Sequence, residues 1–201
     1  VEIININTFE VLHTYKHDIT AMNNLIDISS KQHKNIRVDN HKIRFLYQNP
    51  VLNSDGSLTS IGSKTIFNID FCSNLKWFNQ DERFHHSVTR DQEGNTWVAA
   101  SMYPYSDLVK KHKYISPNDF VDDAISKVNK DGKMLFIKSI IEILLENRIL
   151  GAALLNSGND PIHLNDIEIA TKTTNSWKEG DLFMSVRHLS AIIHYRPSTN
   201  K

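Results

Sequence analysis

One cysteine, no surplus of either charge and no long apolar run set the first limits on this chain of 201 residues. Cys72 cannot close an internal disulfide, and no second cysteine stands near it to build a zinc knuckle. A single cysteine fits either redox compartment. Lys and Arg number 23, as do Asp and Glu, so the formal net charge is zero. Nothing supplies the basic footprint that nucleic acid or an anionic membrane requires, and no nucleic acid partner is expected. No apolar stretch reaches the roughly 18 residues needed to span a bilayer, so no membrane anchor is visible. Val1 stands first where a Met would be ordinary, and the strand pattern has already begun there. The chain is therefore expected to be an internal fragment, with any signal peptide or anchor outside it.

What is there is an internal repeat. Asp55-Gly56-Ser57-Leu58, Glu93-Gly94-Asn95-Thr96-Trp97 and Glu179-Gly180-Asp181-Leu182-Phe183 are three versions of one turn entering an apolar strand. Residues 160–201 hold three alternating stretches, the last being Ala191-Ile192-Ile193-His194-Tyr195, and read as a three-strand meander. Similar strand and turn pairs follow the two earlier turns and open the chain. Four-stranded units at a period of about 40–50 residues are the mark of a β-propeller. The expected fold class is all-β, a partial propeller of four-stranded antiparallel blades with one inserted helix. Residues 1–15 end one blade, 16–43 form a polar surface connection, and 44–78 and 84–136 are blades, the second interrupted at 101–123. Residues 137–155 form the helix, from apolar positions at helical spacing, and 160–201 an incomplete blade. The insertion, with Tyr103-Pro104-Tyr105 and Ser116-Pro117-Asn118-Asp119, is either a functional rim or a surface excursion. His17, His33 and His41 lack metal-ligand spacing and read as solvated loop residues.

Chemistry is expected where first strands of blades converge. Two of them carry histidine near their start, in Phe84-His85-His86-Ser87-Val88 and Ile162-His163-Leu164-Asn165-Asp166, and Arg187 follows on the next strand of the third blade. Histidines with an arginine and few carboxylates suit a sulfuryl or phosphoryl anion. The same scarcity of carboxylates argues against a caged divalent metal, and no metal is expected.

The runs His163-Leu164-Asn165-Asp166-Ile167, Trp177 through His188 and Tyr195-Arg196-Pro197 resemble the bacterial arylsulfate sulfotransferase (arylsulfotransferase) family. His85-His86 with Glu93-Gly94-Asn95-Thr96-Trp97-Val98, and Asp122-Asp123-Ala124-Ile125, extend the resemblance over most of the chain from about Arg44 onward. It implies a six-bladed propeller that moves a sulfuryl group from an aryl sulfate donor to a phenolic acceptor. It also implies ping-pong transfer through a sulfohistidine, no nucleotide sulfate donor and no other cofactor, and a periplasmic or otherwise extracytoplasmic site. By the same resemblance His163, Arg187 and His86 are the catalytic candidates, and the nucleophilic histidine is expected in a later blade, beyond this chain. His85 and Asn165 are candidate substrate-binding residues. On a regular strand His85 would point away from His86, His188 away from Arg187, and His194 would be an ordinary strand residue. Each candidate has a structural alternative, a satisfied strand histidine or a blade-to-blade salt bridge. The rival functions are a non-catalytic propeller that binds a protein or small ligand, and a metal-dependent hydrolase. Exposed sheet edges leave a homo-oligomer open.

Overall fold

The computed structural model of the chain describes residues 1–41, 43–111, 120–149, 151 and 159–201. Ser116-Pro117-Asn118-Asp119 and residues 150 and 152–155 of the expected helix lie outside the described residues.

A short hairpin, β1 (Glu2–Ile4) and β2 (Val11–Thr14), opens the chain. Three antiparallel meanders follow. The first contains β3 (Tyr47–Leu52), β4 (Leu58–Gly62), β5 (Thr65–Ile69) and β6 (Leu75–Asn79) in chain order. The second contains β7 (Arg83–Arg90), β8 (Thr96–Ser101), β9 (Asp123–Val128) and β10 (Met134–Ser139), and the third β11 (Leu164–Ile169), β12 (Leu182–Val186) and β13 (Ala191–Tyr195). The alternation in residues 160–201 thus becomes three paired strands, and β13 coincides with the expected last strand.

The repeated turns are one structure. Asn53 N donates to Ser57 O (2.8 Å) and Gly56 N back to Asn53 O (2.9 Å); Asp91 with Asn95 (3.0 Å) and Gly94 (3.1 Å) repeats the pair. Gly56 and Gly94 take φ of 76° and 82°, a left-handed conformation in which a Cβ is strained. Because these turns fix the register, residues two places beyond each turn are equivalent. Thr59 pairs across β5 with Asn68 and then Trp77 on β6. Trp97 pairs with Lys127 and then Phe136 in the second sheet, and Phe183 with His194 in the third.

The sheets pack face to face in chain order. On β8, Val98 and Ala100 face a core shared with Ile61 and Ile66 of the first sheet. Trp97 and Ala99 face the opposite core, with Ile167, Leu182 and Met184 of the third sheet. A strand buried on both faces needs small or β-branched apolar residues at successive positions, which is why Val98-Ala99-Ala100 has no polar alternation. The first strands lie beside one another, β7 against both β3 and β11.

The inserted helix is shorter than the sequence predicts. Helix α3 (Asp107–Lys111) lies in the 101–123 insertion, Phe136 to Ser139 belong to β10, and helix α4 covers Ile140–Glu146, capped by Ser139 Oγ accepting from Glu142 N (3.3 Å). Its buried face, Ile140, Ile141, Ile143 and Leu144, packs on the second core, each side chain contributing about 1.5–3 kcal/mol by burial. Residues 16–43 are more than a surface connection: α1 (Ile19–Leu25) and α2 (Ile36–Asp39) bring Met22, Ile26 and Ile36 to full burial. His33, expected in solvent, is 1% exposed, and His17 is half-buried, its ring stacked 5.0 Å from Phe67. Helical turns in this segment carry polar residues outward and fold the histidines inward with the apolar ones. Among the described residues no helix is long and apolar enough to cross a membrane.

Candidate active site

Each of the three parallel-placed first strands breaks its ladder near its start. The register skips Asn49 and Pro50 on β3, His86 and Ser87 on β7, and Asn165 on β11. Asn49, His86 and His163 have φ of 43°, 58° and 51°. Non-glycine residues in this region are uncommon and persist where the surroundings hold them, often beside functional sites. A bulge also re-aims side chains, so the rule that neighbours on a strand point to opposite faces fails at His85 and His86. Both line one cleft of about 220 Å³, with their rings 5.0 Å apart.

The bulges are stitched to each other. Asn49 Nδ2 donates to His86 O (2.5 Å), and Ser87 Oγ accepts from Ile167 N (3.0 Å) on the next sheet. His163 enters the same cleft from the segment before β11, its ring 5.3 Å from His86. Asp160 holds it twice, accepting from His163 N (3.0 Å) and lying 2.5 Å from its Nδ1. A carboxylate at Nδ1 keeps the proton there and leaves Nε2 to accept a proton or meet an electrophile. Asp123, 2% exposed, accepts from Leu164 N (2.7 Å) and stands 3.2 Å from His85 Nε2, off the direction of a hydrogen bond.

Two basic side chains also line the cleft, Lys64 from the β4–β5 turn and Arg83 at the start of β7. Arg83 Nε is buried with no protein partner. Burial, then the neighbouring His85 and His163 imidazoles, hold the His86 pKa below the ordinary histidine range, against an opposing pull from Asp123 and Asp160. His86 is thus neutral near pH 7 and able to take a proton. Beside Arg83, burial raises Glu82 to about 7 although Tyr103 N and Gln32 Nε2 both donate to it. The cleft thus gathers three imidazoles, an arginine and a lysine, donors of the kind that meet oxyanions, together with the carboxylates Asp123 and Asp160. Residues 42–201 match the sequence model described as Arylsulfotransferase (ASST). The chain belongs to the arylsulfotransferase family. A search of curated proteins finds no match to it.

In this arylsulfotransferase-family chain the sequence candidates divide. His85, His86 and His163 come together in the cleft. Arg187 and Asn165 are not among its lining residues. Arg187 is exposed, its side chain without a hydrogen bond or ion pair among the described residues, while its amide donates to His163 O (3.0 Å). Asn165 is the half-buried extra residue of the β11 bulge. His194 does more than fill a strand, since its Nε2 lies 2.7 Å from Asp181 Oδ2. Arg196 Nε and Nη2 grip the same carboxylate at 2.7 and 2.6 Å, and that guanidinium holds the Asp181 pKa far below the usual carboxylate range. The resemblance runs Gly180-Asp181 and Tyr195-Arg196-Pro197 are thus tied together through the buried Asp181 carboxylate.

Lys64, Arg83, Asp123 and Asp160 were not singled out as site residues from sequence. Asp160 carries a local signal, a carboxylate three residues before a histidine across a proline, and Asp123 lies in the Asp122-Asp123-Ala124-Ile125 run of the resemblance; Lys64 and Arg83 carry none. Asp160, His163 and His188 place one ligand atom each within 4.8 Å of one another and could hold a metal ion. His188 Nδ1 meanwhile lies 2.5 Å from Asp160 O.

Proposed function

We propose that the histidine cleft binds the sulfuryl group of an aryl sulfate and takes part in its ping-pong transfer to a phenol, without a nucleotide sulfate donor. The observation that carries this reading is the convergence of His85, His86 and His163 with Arg83 and Lys64 in one cleft of an arylsulfotransferase-family chain. Sulfuryl transfer, like phosphoryl transfer, has a loose transition state, so positioning and charge stabilisation do most of the work.

In the first half-reaction a histidine nitrogen forms an N–S bond as the S–O bond to the aryl group breaks, and the departing phenolate takes a proton from an imidazolium. In the second, an acceptor phenol loses its proton to a neutral imidazole, its oxygen bonds to sulfur, and the N–S bond breaks. His86, neutral near pH 7, is suited to the second proton transfer. His163, oriented by Asp160, contacts the sulfuryl oxygens or exchanges the proton in the first. Arg187 retains the role that the resemblance gives it, gripping sulfuryl oxygens from the turn bonded to His163 O, while His85 and Asn165 contribute substrate contacts. On this reading the three sheets are successive blades of a six-bladed propeller, the sulfohistidine forms on a further blade, and the protein works outside the cytoplasm.

The test is turnover of 4-nitrophenyl sulfate with a phenol acceptor by full-length protein. His163→Ala and Arg187→Ala are each expected to lose transfer while keeping the wild-type circular dichroism spectrum; unchanged turnover in both overturns the assignment. The Asp160, His163 and His188 cluster favours a second reading, a metal-dependent hydrolase. That enzyme would lose activity on chelation and release free sulfate with or without a phenol.

A further inference from the structure

At the other end of β7 a groove of about 550 Å³ lies between the first and second sheets, within the range of about 300–1,000 Å³ usual for small-molecule sites. Its counterpart between the second and third sheets is about 390 Å³. The repeat explains much of the difference. At the position two places beyond the turn, the second and third sheets carry Trp97 and Phe183, whereas the first carries Thr59. Trp97 lines the smaller groove under Lys127, 5.4 Å from its ring. Threonine at the equivalent place leaves that volume open.

The opened space is lined by polar side chains that are themselves buried. Asn53, Ser57, Thr59 and Asn68 are 9%, 3%, 1% and 3% exposed. Both amides donate to the same two hydroxyls, Asn53 Nδ2 to Ser57 Oγ (2.7 Å) and Thr59 Oγ1 (3.1 Å), Asn68 Nδ2 to the same atoms at 3.2 and 3.0 Å. Ser57 Oγ donates a hydrogen bond to Asp55 Oδ1 (2.6 Å), and Arg90 Nη1 donates to Asn53 Oδ1 (2.5 Å). Three capacities remain unspent. Asn68 Oδ1 and Arg90 Nε are buried without a protein partner, and the Thr59 hydroxyl proton is given to none of the described residues. Buried polar groups left unpaired are destabilising, and this row could have been the aromatic and alkyl one that the next sheet uses.

We infer that this groove binds a neutral polyhydroxylated molecule, a sugar ring or short saccharide. One free acceptor and two free donors along the groove match hydroxyl groups, which give and take hydrogen bonds at once. The indole of Trp77, held by its Nε1 donating to Lys130 O (2.8 Å), supplies a flat apolar wall for the C–H face of a ring. Charge at the rim is balanced, with Lys76, Arg90 and Lys130 against Asp55, Glu93 and Asp131, so the groove selects neither an anion nor a cation. The inference is independent of the sulfuryl reading, because the groove shares no residue with the histidine cleft.

Two-dimensional NMR of the protein titrated with millimolar glucose, galactose, mannose, maltose and cellobiose, and separately with sodium sulfate and ethylammonium chloride, tests it. At least one sugar is expected to shift the Asn53 and Asn68 side-chain amides and the Trp77 indole. Those shifts are expected to disappear in Thr59→Trp, which copies the second sheet, and in Asn68→Leu, which removes the free acceptor at nearly constant volume. Two variants keep the test decisive if one of them fails to fold, as judged by its dispersion. Absence of shifts with all five sugars overturns the inference, as do shifts that persist in a folded variant or arise from the salts alone.

Discussion

Strand β7 begins at Arg83 and ends at Arg90, roughly 20 Å away, and its two ends use an arginine in opposite ways. At the first end Arg83 stands among histidines at a broken ladder, with its Nε unsatisfied and a half-buried Glu82 beside it. At the second, Arg90 Nη2 closes its own turn by donating to Gly94 O (2.7 Å) while Nη1 bonds an amide of the preceding sheet. The ladder is regular there, and the buried groups Asn53, Ser57, Thr59 and Asn68 are neutral and bond mainly to one another, although Arg90 Nε, like Arg83 Nε, has no protein partner. Charge chemistry is concentrated where β7 is strained, and hydrogen-bonding chemistry where it is not. The bulge sets histidines beside one another that a regular strand would separate, whereas the regular end keeps a register that the repeat makes comparable between sheets.

The sharpest way to separate the two ends is to remove chemistry from one. His163→Ala in the full-length protein is expected to reduce aryl sulfate turnover by about 10²–10⁴-fold, the scale of a proton-transfer residue, while the sugar-induced shifts at Trp77 remain. Loss of both signals would merge the ends into one functional unit. Next comes Arg83→Gln, which removes a charged donor and is expected to loosen inorganic sulfate about tenfold, measured by calorimetric titration. Retained affinity would transfer the anion contact to Lys64 and Arg187.

A glycine pair probes the second end. Gly132 has φ of 85°, and a Cβ there would lie 2.7 Å from the Trp77 ring, while Gly180 has φ of 83° with nothing within 4 Å. Gly180→Ala is expected to cost the left-handed penalty of about 1–2 kcal/mol, and Gly132→Ala that penalty plus displacement of the indole. Equal urea midpoints for the two variants would show that Trp77 is loosely seated. The smallest effect concerns pH. Burial raises Glu82 from 4.5 to about 7 and Asp122 from 3.8 to about 6. Both carboxyls bind their proton more tightly in the folded protein, so their contribution to stability grows as pH falls from about 7 to about 4 and is lost as pH rises through 6 and 7. Thermal midpoints of Glu82→Gln are expected to flatten this dependence; an unchanged slope would leave Asp122 as its source.

Much of the fold was legible because it is periodic. Turns with glycine at a fixed place and alternating apolar residues marked the meander of residues 160–201, and β13 fell where expected. The expected helix begins too early because Ile137 to Ser139 fit strand and helix spacing alike; only the pairing of β10 with Ser126 to Ala124 decides between them. Among the site candidates the histidines were readable as types, and their grouping was not. His85 and His86 share a cleft because two residues drop out of register between His85 and Val88. Lys64 and Arg83 join it by tertiary placement alone, and isolated basic residues next to turns carry no local mark of that. His33 was misjudged for a related reason: a polar segment can still turn one histidine into a core when helices supply the angle.

The bonds from Asn49 to His86 and from Ser87 to Ile167 give the cleft a property beyond geometry. They join residues 37 and 80 positions apart in the chain, so no single meander contains the information needed to set the imidazoles. During synthesis from the amino terminus, the first two meanders can pair their strands while His86 still lacks its counterpart. Only when β11 is laid down beside β7 does His163 arrive and the cluster exist. The cleft therefore acts as a record of the docking of the second and third sheets: a chain that stalls before β11 lacks His163, and on the proposed reading any gain of sulfate binding during refolding reports that docking.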